Sequence, residues 1–113
     1  MPLNTLPRTP GEPAEITIIE TNRVWGEGTA QLVDVRELEE WNDAHVAGAI
    51  HITLSTLHLR AIELDKTKAV VAICHSGRRS LTAAETLTQL GFADVASAQG
   101  GMLAWIRAGY PTE

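Results

Sequence analysis

The sequence has little cysteine, few aromatic residues and no long apolar run. Cys74 is the single cysteine among 113 residues, so no internal disulfide can form. The longest strongly apolar run, Ala69 to Cys74, is far too short to cross a bilayer, and no membrane span is predicted. Because the first residues have neither a basic start nor an apolar stretch of signal-peptide length, we expect a cytoplasmic protein.

Positive charge is also scarce. Nine lysines and arginines against fourteen acidic residues give a net charge of −5 and an isoelectric point near 5.3. Nucleic acids and anionic membranes both require a cationic surface, so neither is expected as a partner. The cations are unevenly placed, however, since residues 66–84 contain no acidic residue but include Arg78 and Arg79 close to Cys74. An acidic chain therefore keeps one positive segment around its cysteine.

The composition is that of a globular protein, with 44% hydrophobic and 20% charged residues. Four of the five prolines lie within residues 1–13, and proline disfavours regular structure in itself and in the residue before it. We therefore predict a flexible, proline-rich arm over residues 1–13 and a single domain over residues 14–113.

Short apolar strands alternate with helical patterns along this domain. Connections of such length fit crossovers between parallel strands, which predicts a small layered α/β domain with a central, mostly parallel sheet flanked by helices. Trp41 and Trp105 fall on apolar helix faces and are predicted to lie in the core. The predicted strands are 15–20, 30–35, 68–74 and 94–99, and the predicted helical segments are 21–28 (a brief helix or turn), 36–46, 54–64, 80–91 and 101–109.

Cys74 ends the most apolar strand, and in parallel sheets ligands bind beyond the carboxyl ends of the strands. The loop that follows opens a helix near Arg79, whose unpaired amides and dipole would stabilise a thiolate. Ser76 and Gly77 suit a tight turn of the backbone around the sulfur, and Arg78 or Arg79 could fix an oxyanion. The alternative is a buried, inert cysteine, but the small and cationic loop favours a reactive site.

The stretch "CHSGRRS" resembles the active-site loop of the rhodanese family of sulfurtransferases, in which two variable residues, glycine, another variable residue, arginine and serine follow the cysteine. The stretches "LVDVRELEEW", "HVAGAIHI" and "GFADVASAQGGMLAWIRAGYP" are similar to that family's flanking signatures and come in the same order. The resemblance covers roughly residues 16–111. It implies a rhodanese-like fold, which agrees with the α/β domain expected from the pattern of strands and helices.

The resemblance also implies a chemistry. Cys74 would be the nucleophile that carries a persulfide, taking sulfane sulfur from a small anionic donor such as thiosulfate and passing it to cyanide or a thiol. No metal or organic cofactor would be required, and a sulfur-donating or sulfur-accepting protein could be a partner. The loop around the sulfur would comprise His75, Ser76, Gly77, Arg78 and Arg79, with Ser80 as a supporting residue at the start of the helix.

Two other readings of the same residues stay open. Cysteine-dependent phosphatases and arsenate reductases also hold a thiolate in an anion-binding loop, but tyrosine phosphatases place five residues between cysteine and arginine. Here four residues separate Cys74 from Arg79, which suits a single sulfur atom better than a tetrahedral oxyanion. A sulfur-relay or sensing module acting with a protein partner is the other alternative.

His75 departs from the pattern of thiosulfate-using relatives, which often have a basic residue directly after the cysteine.

Asp34 and Arg36 match the family's "DVR" and could support the site. A charged pair at a strand end more often orients a neighbouring loop, and this is the role we expect. The four histidines match no common zinc spacing, so no metal site is expected. Gly100 and Gly101 predict a turn between the last strand and helix, whose surroundings could form a wall of the pocket.

Overall fold

Five short strands form one sheet in residues 14–113, which are the part of the chain that the computed structural model describes. The strand order is β1-β5-β4-β2-β3, and each of the four strand pairings is parallel. This confirms the predicted α/β architecture, while the arm predicted for residues 1–13 lies outside the described residues. The strands are β1 (Ala14–Ile16), β2 (Ala30–Asp34), β3 (Ile50–His51), β4 (Ala69–Ile73) and β5 (Val95–Ala98).

Helices connect consecutive strands and cover the sheet. None of the helices within residues 14–113 has both the length and the apolar character needed to cross a membrane. The helices are α1 (Ile18–Gly26), α2 (Leu38–Asp43), α3 (Leu57–Arg60, between the 3-10 turns Leu54–Thr56 and Ala61–Glu63), α4 (Arg78–Gln89) and α5 (Gly101–Arg107).

The central strand β4 is buried along its whole length because it pairs on both edges and is covered on both faces. Its side chains alternate between two apolar clusters. Val71 and Ile73 pack in the cluster that includes Trp105, whereas Val70, Ala72 and Cys74 pack in the cluster that includes Leu87 of α4. The alternation of the strand thus places the cysteine on the face of the sheet that α4 covers.

The first predicted strand, 15–20, was too long. β1 ends at Ile16, and the Thr17 side chain accepts a hydrogen bond from the Glu20 amide at 3.1 Å, so Thr17 caps α1. The apolar pair Ile18 and Ile19 belongs to this helix and not to the strand. The capping threonine, followed three residues later by glutamate, is a helix-start signal that overrides the β-branched composition.

The helix predicted over 36–46 is shorter than expected, since α2 covers only Leu38–Asp43. The prediction that Trp41 lies in the core was wrong. Leu38 is 57% exposed, and Trp41 is half-buried. Trp41 instead stacks on His45 and His51, with ring centroids 3.7 and 4.8 Å away. In contrast, Trp105 is 1% exposed, which confirms its predicted place in the core.

The helix predicted over 54–64 is interrupted. Only Leu57–Arg60 is α-helical, and a 3-10 turn lies on either side. Leu57, Ala61 and Leu64 are nevertheless all buried, as their spacing predicts. A short α-helix continued by a 3-10 turn keeps these three side chains on the sheet without forming one regular helix.

The start of α5 lies directly against the loop after β4. The Met102 amide donates to the Cys74 carbonyl at 2.7 Å, and the Leu103 amide donates to the His75 carbonyl at 3.1 Å. Gly101, at φ +56°, makes this approach possible, because a Cβ there would lie 2.3 Å from the Cys74 carbonyl oxygen. The turn predicted at Gly100 and Gly101 is therefore confirmed, and it also fixes the neighbouring loop.

Replacing Gly101 by alanine should destabilise the domain far more than the same change at Gly109. Both glycines have positive φ, but a Cβ on Gly109 would meet no atom within 4 Å. The control variant should therefore lose about 1–2 kcal/mol from backbone strain alone, and Gly101→Ala should lose at least about 3 kcal/mol, since overpacking adds to that strain. Urea unfolding of both variants measures the difference, and equal losses would show that the close approach is unimportant.

Candidate functional site

The candidate site is the loop that joins β4 to α4. Cys74 follows the last residue of β4, and Gly77, at φ +103°, is the N-cap of α4. The Cys74 Sγ accepts hydrogen bonds from the amides of Gly77 at 3.1 Å and Ser80 at 3.3 Å. Because the N-cap Gly77 has no side chain that could accept from the first amides of the helix, the Cys74 sulfur accepts from the Ser80 amide instead.

A pair of serine hydroxyls lies behind the sulfur. Ser80 Oγ is 3.4 Å from Cys74 Sγ and 2.7 Å from the Oγ of Ser97. Both serines are fully buried. The sequence predicted a supporting place for Ser80 but missed Ser97, whose signal is a single serine among alanines in the buried strand β5. Because β5 pairs with β4, Ser97 comes within hydrogen-bond distance of the Ser80 hydroxyl that contacts the sulfur.

The Cys74 thiol is 1% exposed, so burial by itself raises its pKa. The Ser80 hydroxyl and the amides of Ser80, Gly77 and Ser76 act in the opposite direction, since each can donate to the thiolate. Together these donors outweigh burial and hold the pKa of Cys74 below its ordinary value. A buried cysteine with a lowered pKa is typical of a reactive thiol, whereas an inert core cysteine has a raised one.

The two arginines of the loop differ in their surroundings. Arg79 forms a two-pronged ion pair with Glu40 of α2, with Nη1 to Oε1 at 2.7 Å and Nη2 to Oε2 at 2.8 Å. Arg78 is exposed at the first position of α4, and His75 and Ser76 are exposed as well. The loop thus presents side chains to solvent while its backbone surrounds the buried sulfur.

A cleft of about 280 Å³ adjoins the loop at His75. One wall is polar and comes from the region around α2, and the other is apolar and comes from α5. The polar side includes Arg36, Glu40 and Asp43, and the apolar side includes Leu103 and Ile106.

Asp34 and Arg36 form a buried ion pair at the end of β2. The Arg36 side chain donates to both carboxylate oxygens of Asp34 at 2.8–3.1 Å, and also to the Ala44 carbonyl at 2.7 Å. The pair therefore holds the segment after α2 against the sheet, which fits the orienting role that we expect for it. No group of three or more metal-ligating side chains is clustered anywhere in residues 14–113.

Comparison with known proteins supports the resemblance seen in the sequence. The family model of the rhodanese-like domain matches residues 20–108. A Bacillus subtilis (strain 168) protein named "Putative sulfur carrier protein YrkF" is 41% identical over 83 residues, which are 74% of this chain. Those residues are only 45% of that relative, so the chain spans about half the length of the curated relative that it matches.

Solved structures agree with this assignment. A rhodanese-related protein from Thermoplasma volcanium has a TM-score of 0.81 and 31% identity, covering 88% of this chain and 97% of its own. A Rhodopseudomonas palustris CGA009 protein of unknown function, described as a possible tyrosine phosphatase, has a TM-score of 0.79 and 27% identity over 89% of this chain and 85% of its own. The fold is thus shared with a protein described as rhodanese-related and with one described as a possible tyrosine phosphatase.

Removing the Ser80 hydroxyl should raise the pKa of Cys74. Ser80→Ala keeps the backbone amide but deletes the hydroxyl that donates to the thiolate, and it also leaves Ser97 without its partner. Titrating the thiolate absorbance near 240 nm measures the change. Thr82→Ala, on the exposed side of the same helix, is the matched control. An unchanged titration in Ser80→Ala would contradict the role assigned to the hydroxyl.

The lowered pKa of Cys74 should also make stability depend on pH. A thiol whose folded-state pKa is depressed adds nothing below that pKa, and its contribution is complete only above the unfolded-state value of about 8.5. The wild-type protein should therefore gain stability over Cys74→Ser as pH rises from neutral to about 9. Denaturant unfolding at several pH values measures this difference. A difference that stays constant or falls with pH would show that the thiolate is not stabilised.

Proposed function

The chain belongs to the rhodanese-like domain family, and from this we propose that it is a sulfurtransferase that works through a persulfide on Cys74. The observation that carries the proposal is the group of donors around the sulfur. Two backbone amides and the Ser80 hydroxyl lie within 3.4 Å of Cys74 Sγ at the N-terminus of α4. Such a site stabilises one negative charge on sulfur, and a persulfide is a charge of this kind.

The proposed reaction has two halves. The Cys74 thiolate attacks the outer sulfur of thiosulfate, the sulfur–sulfur bond of the donor breaks, and sulfite leaves with the electron pair of that bond. Cyanide then attacks the outer sulfur of the Cys74 persulfide, so thiocyanate departs and the thiolate is restored. A thiol can replace cyanide as the acceptor. Charge and atoms balance in both halves, and the covalent intermediate predicts ping-pong kinetics.

In this mechanism the loop backbone holds the charged sulfur, and the side chains meet the donor. In the loop of His75, Ser76, Gly77, Arg78 and Arg79, the amides of Ser76 and Gly77 donate to the sulfur. Of its two arginines, Arg78 is the exposed one, and it is the first that an anion approaching the loop would meet. Asp34 and Arg36 act indirectly. Arg36, bound to Asp34, donates to the Ala44 carbonyl and so holds the segment after α2 that forms part of the polar wall of the cleft.

A sulfur-relay role is the second candidate, since the Bacillus subtilis relative is named as a sulfur carrier. In that role the same persulfide would form, but its donor or acceptor would be a protein thiol. The phosphatase alternative has less support, although one structural neighbour is described as a possible tyrosine phosphatase. Four residues separate Cys74 from Arg79, and both prongs of the Arg79 guanidinium are already bound to Glu40.

Intact mass spectrometry tests the proposal most directly. Incubation with thiosulfate should add one sulfur atom to the protein, and subsequent cyanide should remove it and release thiocyanate. Cys74→Ser should show neither change, because it lacks the nucleophile, while its circular dichroism should match that of the wild type.

The same experiment separates the three functions. If thiosulfate adds no sulfur but a protein persulfide or a desulfurase does, the relay role replaces turnover of a small molecule. If no donor adds sulfur to Cys74, and an aryl phosphate is hydrolysed by the wild type but not by Cys74→Ser, the sulfurtransferase proposal is wrong.

A further inference from the structure

The Glu40 carboxylate is a contact point between α2 and the loop. Its two oxygens accept from the two terminal nitrogens of Arg79 at 2.7 and 2.8 Å. Oε1 also accepts from the Glu37 amide at 3.1 Å, as part of the capping box that starts α2. Both side chains of the ion pair are only about one-third exposed, at 35% for Arg79 and 32% for Glu40. The pair is therefore a fixed part of the site and not a loose surface contact.

This pair cancels a charge that would otherwise act on the sulfur. The guanidinium of Arg79 holds the pKa of Glu40 at about 2, so the carboxylate is ionised throughout the neutral range. Arg79 directly precedes Ser80, whose amide donates to Cys74 Sγ, and the pKa of Arg79 is raised mainly by Glu40 and less by the Cys74 thiolate, so the charges of Arg79 and the sulfur are close enough to interact. Because the pair as a whole is neutral, the sulfur experiences much less positive potential than the arginine alone would provide.

The charged groups that act on the pair, or that share its wall of the cleft, do not restore that positive potential. Arg36 faces Glu40 but is neutralised by Asp34, to which it is bound. Glu37 acts on Arg79, and Asp43 lies on the same wall of the cleft as Glu40. Beyond these groups, His75 lines the cleft, and the exposed Arg78 begins α4.

The opposite wall of the cleft is apolar. Leu103 and Ile106 of α5 line it and are 41% and 55% exposed. At about 280 Å³ the cleft is larger than a small inorganic anion needs and can accept an organic group. A weakly charged site beside an apolar wall fits a donor whose reacting sulfur is attached to carbon.

We propose that Glu40 is a positioning residue that sets donor specificity: by holding Arg79 in a neutral pair it disfavours dianionic thiosulfate and favours an organic persulfide that packs against Leu103 and Ile106. This inference rests on the proposed sulfurtransferase function. With such a donor, the Cys74 thiolate attacks the outer sulfur of R–S–SH, the sulfur–sulfur bond breaks, and the RS⁻ thiolate leaves. The proton of the new Cys74–S–SH passes to the leaving thiolate, which yields RSH and the Cys74 persulfide anion.

Glu40→Gln is the decisive variant, with Glu39→Gln as the matched control for loss of one negative charge from α2. Glutamine can still accept from the Glu37 amide, so the start of the helix is kept. Two measurements are made. The pKa of Cys74 is obtained from thiolate absorbance, and the KM and kcat for thiosulfate and for benzyl hydropersulfide are determined with cyanide as acceptor. Both are also made on the single variant Arg79→Ala, which leaves the Glu40 carboxylate without its cation.

In Glu40→Gln the uncompensated Arg79 should lower the pKa of Cys74. It should also lower the KM for thiosulfate about two- to fivefold, the range expected for a partly exposed ion pair, with little change in kcat. The KM for benzyl hydropersulfide should not fall. The thiosulfate effect should shrink as salt is raised, and Arg79→Ala should act in the opposite direction, raising both the pKa of Cys74 and the KM for thiosulfate. A helix-packing role alone would not produce this difference between donors.

The inference is overturned if Glu40→Gln leaves the Cys74 pKa and the thiosulfate KM unchanged, if Glu39→Gln has the same effects, or if Arg79→Ala does not shift both quantities in the opposite direction. An equal change in KM for both donors would also overturn it. The thiol titration needs no turnover, so it tests the electrostatic claim even if no donor transfers sulfur. If no donor transfers sulfur, the proposed function and the specificity inference both fail. If sulfur is transferred but Glu40→Gln lacks the expected effects, only the specificity inference fails.

Discussion

The site depends on one interaction, the hydrogen bonding of backbone amides at the start of α4 to the sulfur of Cys74. The Gly77 and Ser80 amides lie 3.1 and 3.3 Å from Sγ, and together with the Ser80 hydroxyl and the Ser76 amide they outweigh the burial that would otherwise keep the thiol protonated. Because most of these donors belong to the backbone, the charge on sulfur is stabilised mainly by the path of the chain and not by any one cationic side chain. What must be preserved is therefore the turn at Gly77 and its positive φ.

The fold holds this turn from the other side as well. The carbonyls of Cys74 and His75 accept from the amides of Met102 and Leu103 at the start of α5. A trans peptide points its carbonyl and its N–H in opposite directions. When α5 binds the His75 carbonyl, the Ser76 N–H of the same peptide is turned the other way, and it is among the donors that lower the pKa of Cys74. The close approach at Gly101 and the thiolate site are thus two consequences of one loop geometry.

Much of this could be predicted from the sequence, because the decisive signals are local. The apolar run before Cys74, the glycine in the loop and the helix after it lie within residues 69–89, and they predict a buried strand, a turn and a helix N-terminus. Residues brought together by the sheet or by packing could not be predicted in this way. Ser97 reaches the Ser80 hydroxyl, which contacts the sulfur, because β5 pairs with β4, and Glu40 meets Arg79 across 39 positions of the chain. Trp41 was assigned to the core on helical spacing, which cannot show that its partners are two histidine rings.

The charge of the site illustrates the same limit. Residues 66–84 contain cations and no acidic residue, which suggests a strongly positive loop. In the folded protein Glu40 neutralises Arg79, and Asp34 neutralises Arg36 at the adjoining cleft. A local count of charge therefore overstates the positive potential that an incoming donor meets. Since the amides and the Ser80 hydroxyl already stabilise the sulfur, the side-chain charges around the loop are not needed for that task. In the proposed function, stabilisation of the thiolate would therefore rest on residues 74–80, and the choice of donor would rest on side chains supplied largely by α2 and α5.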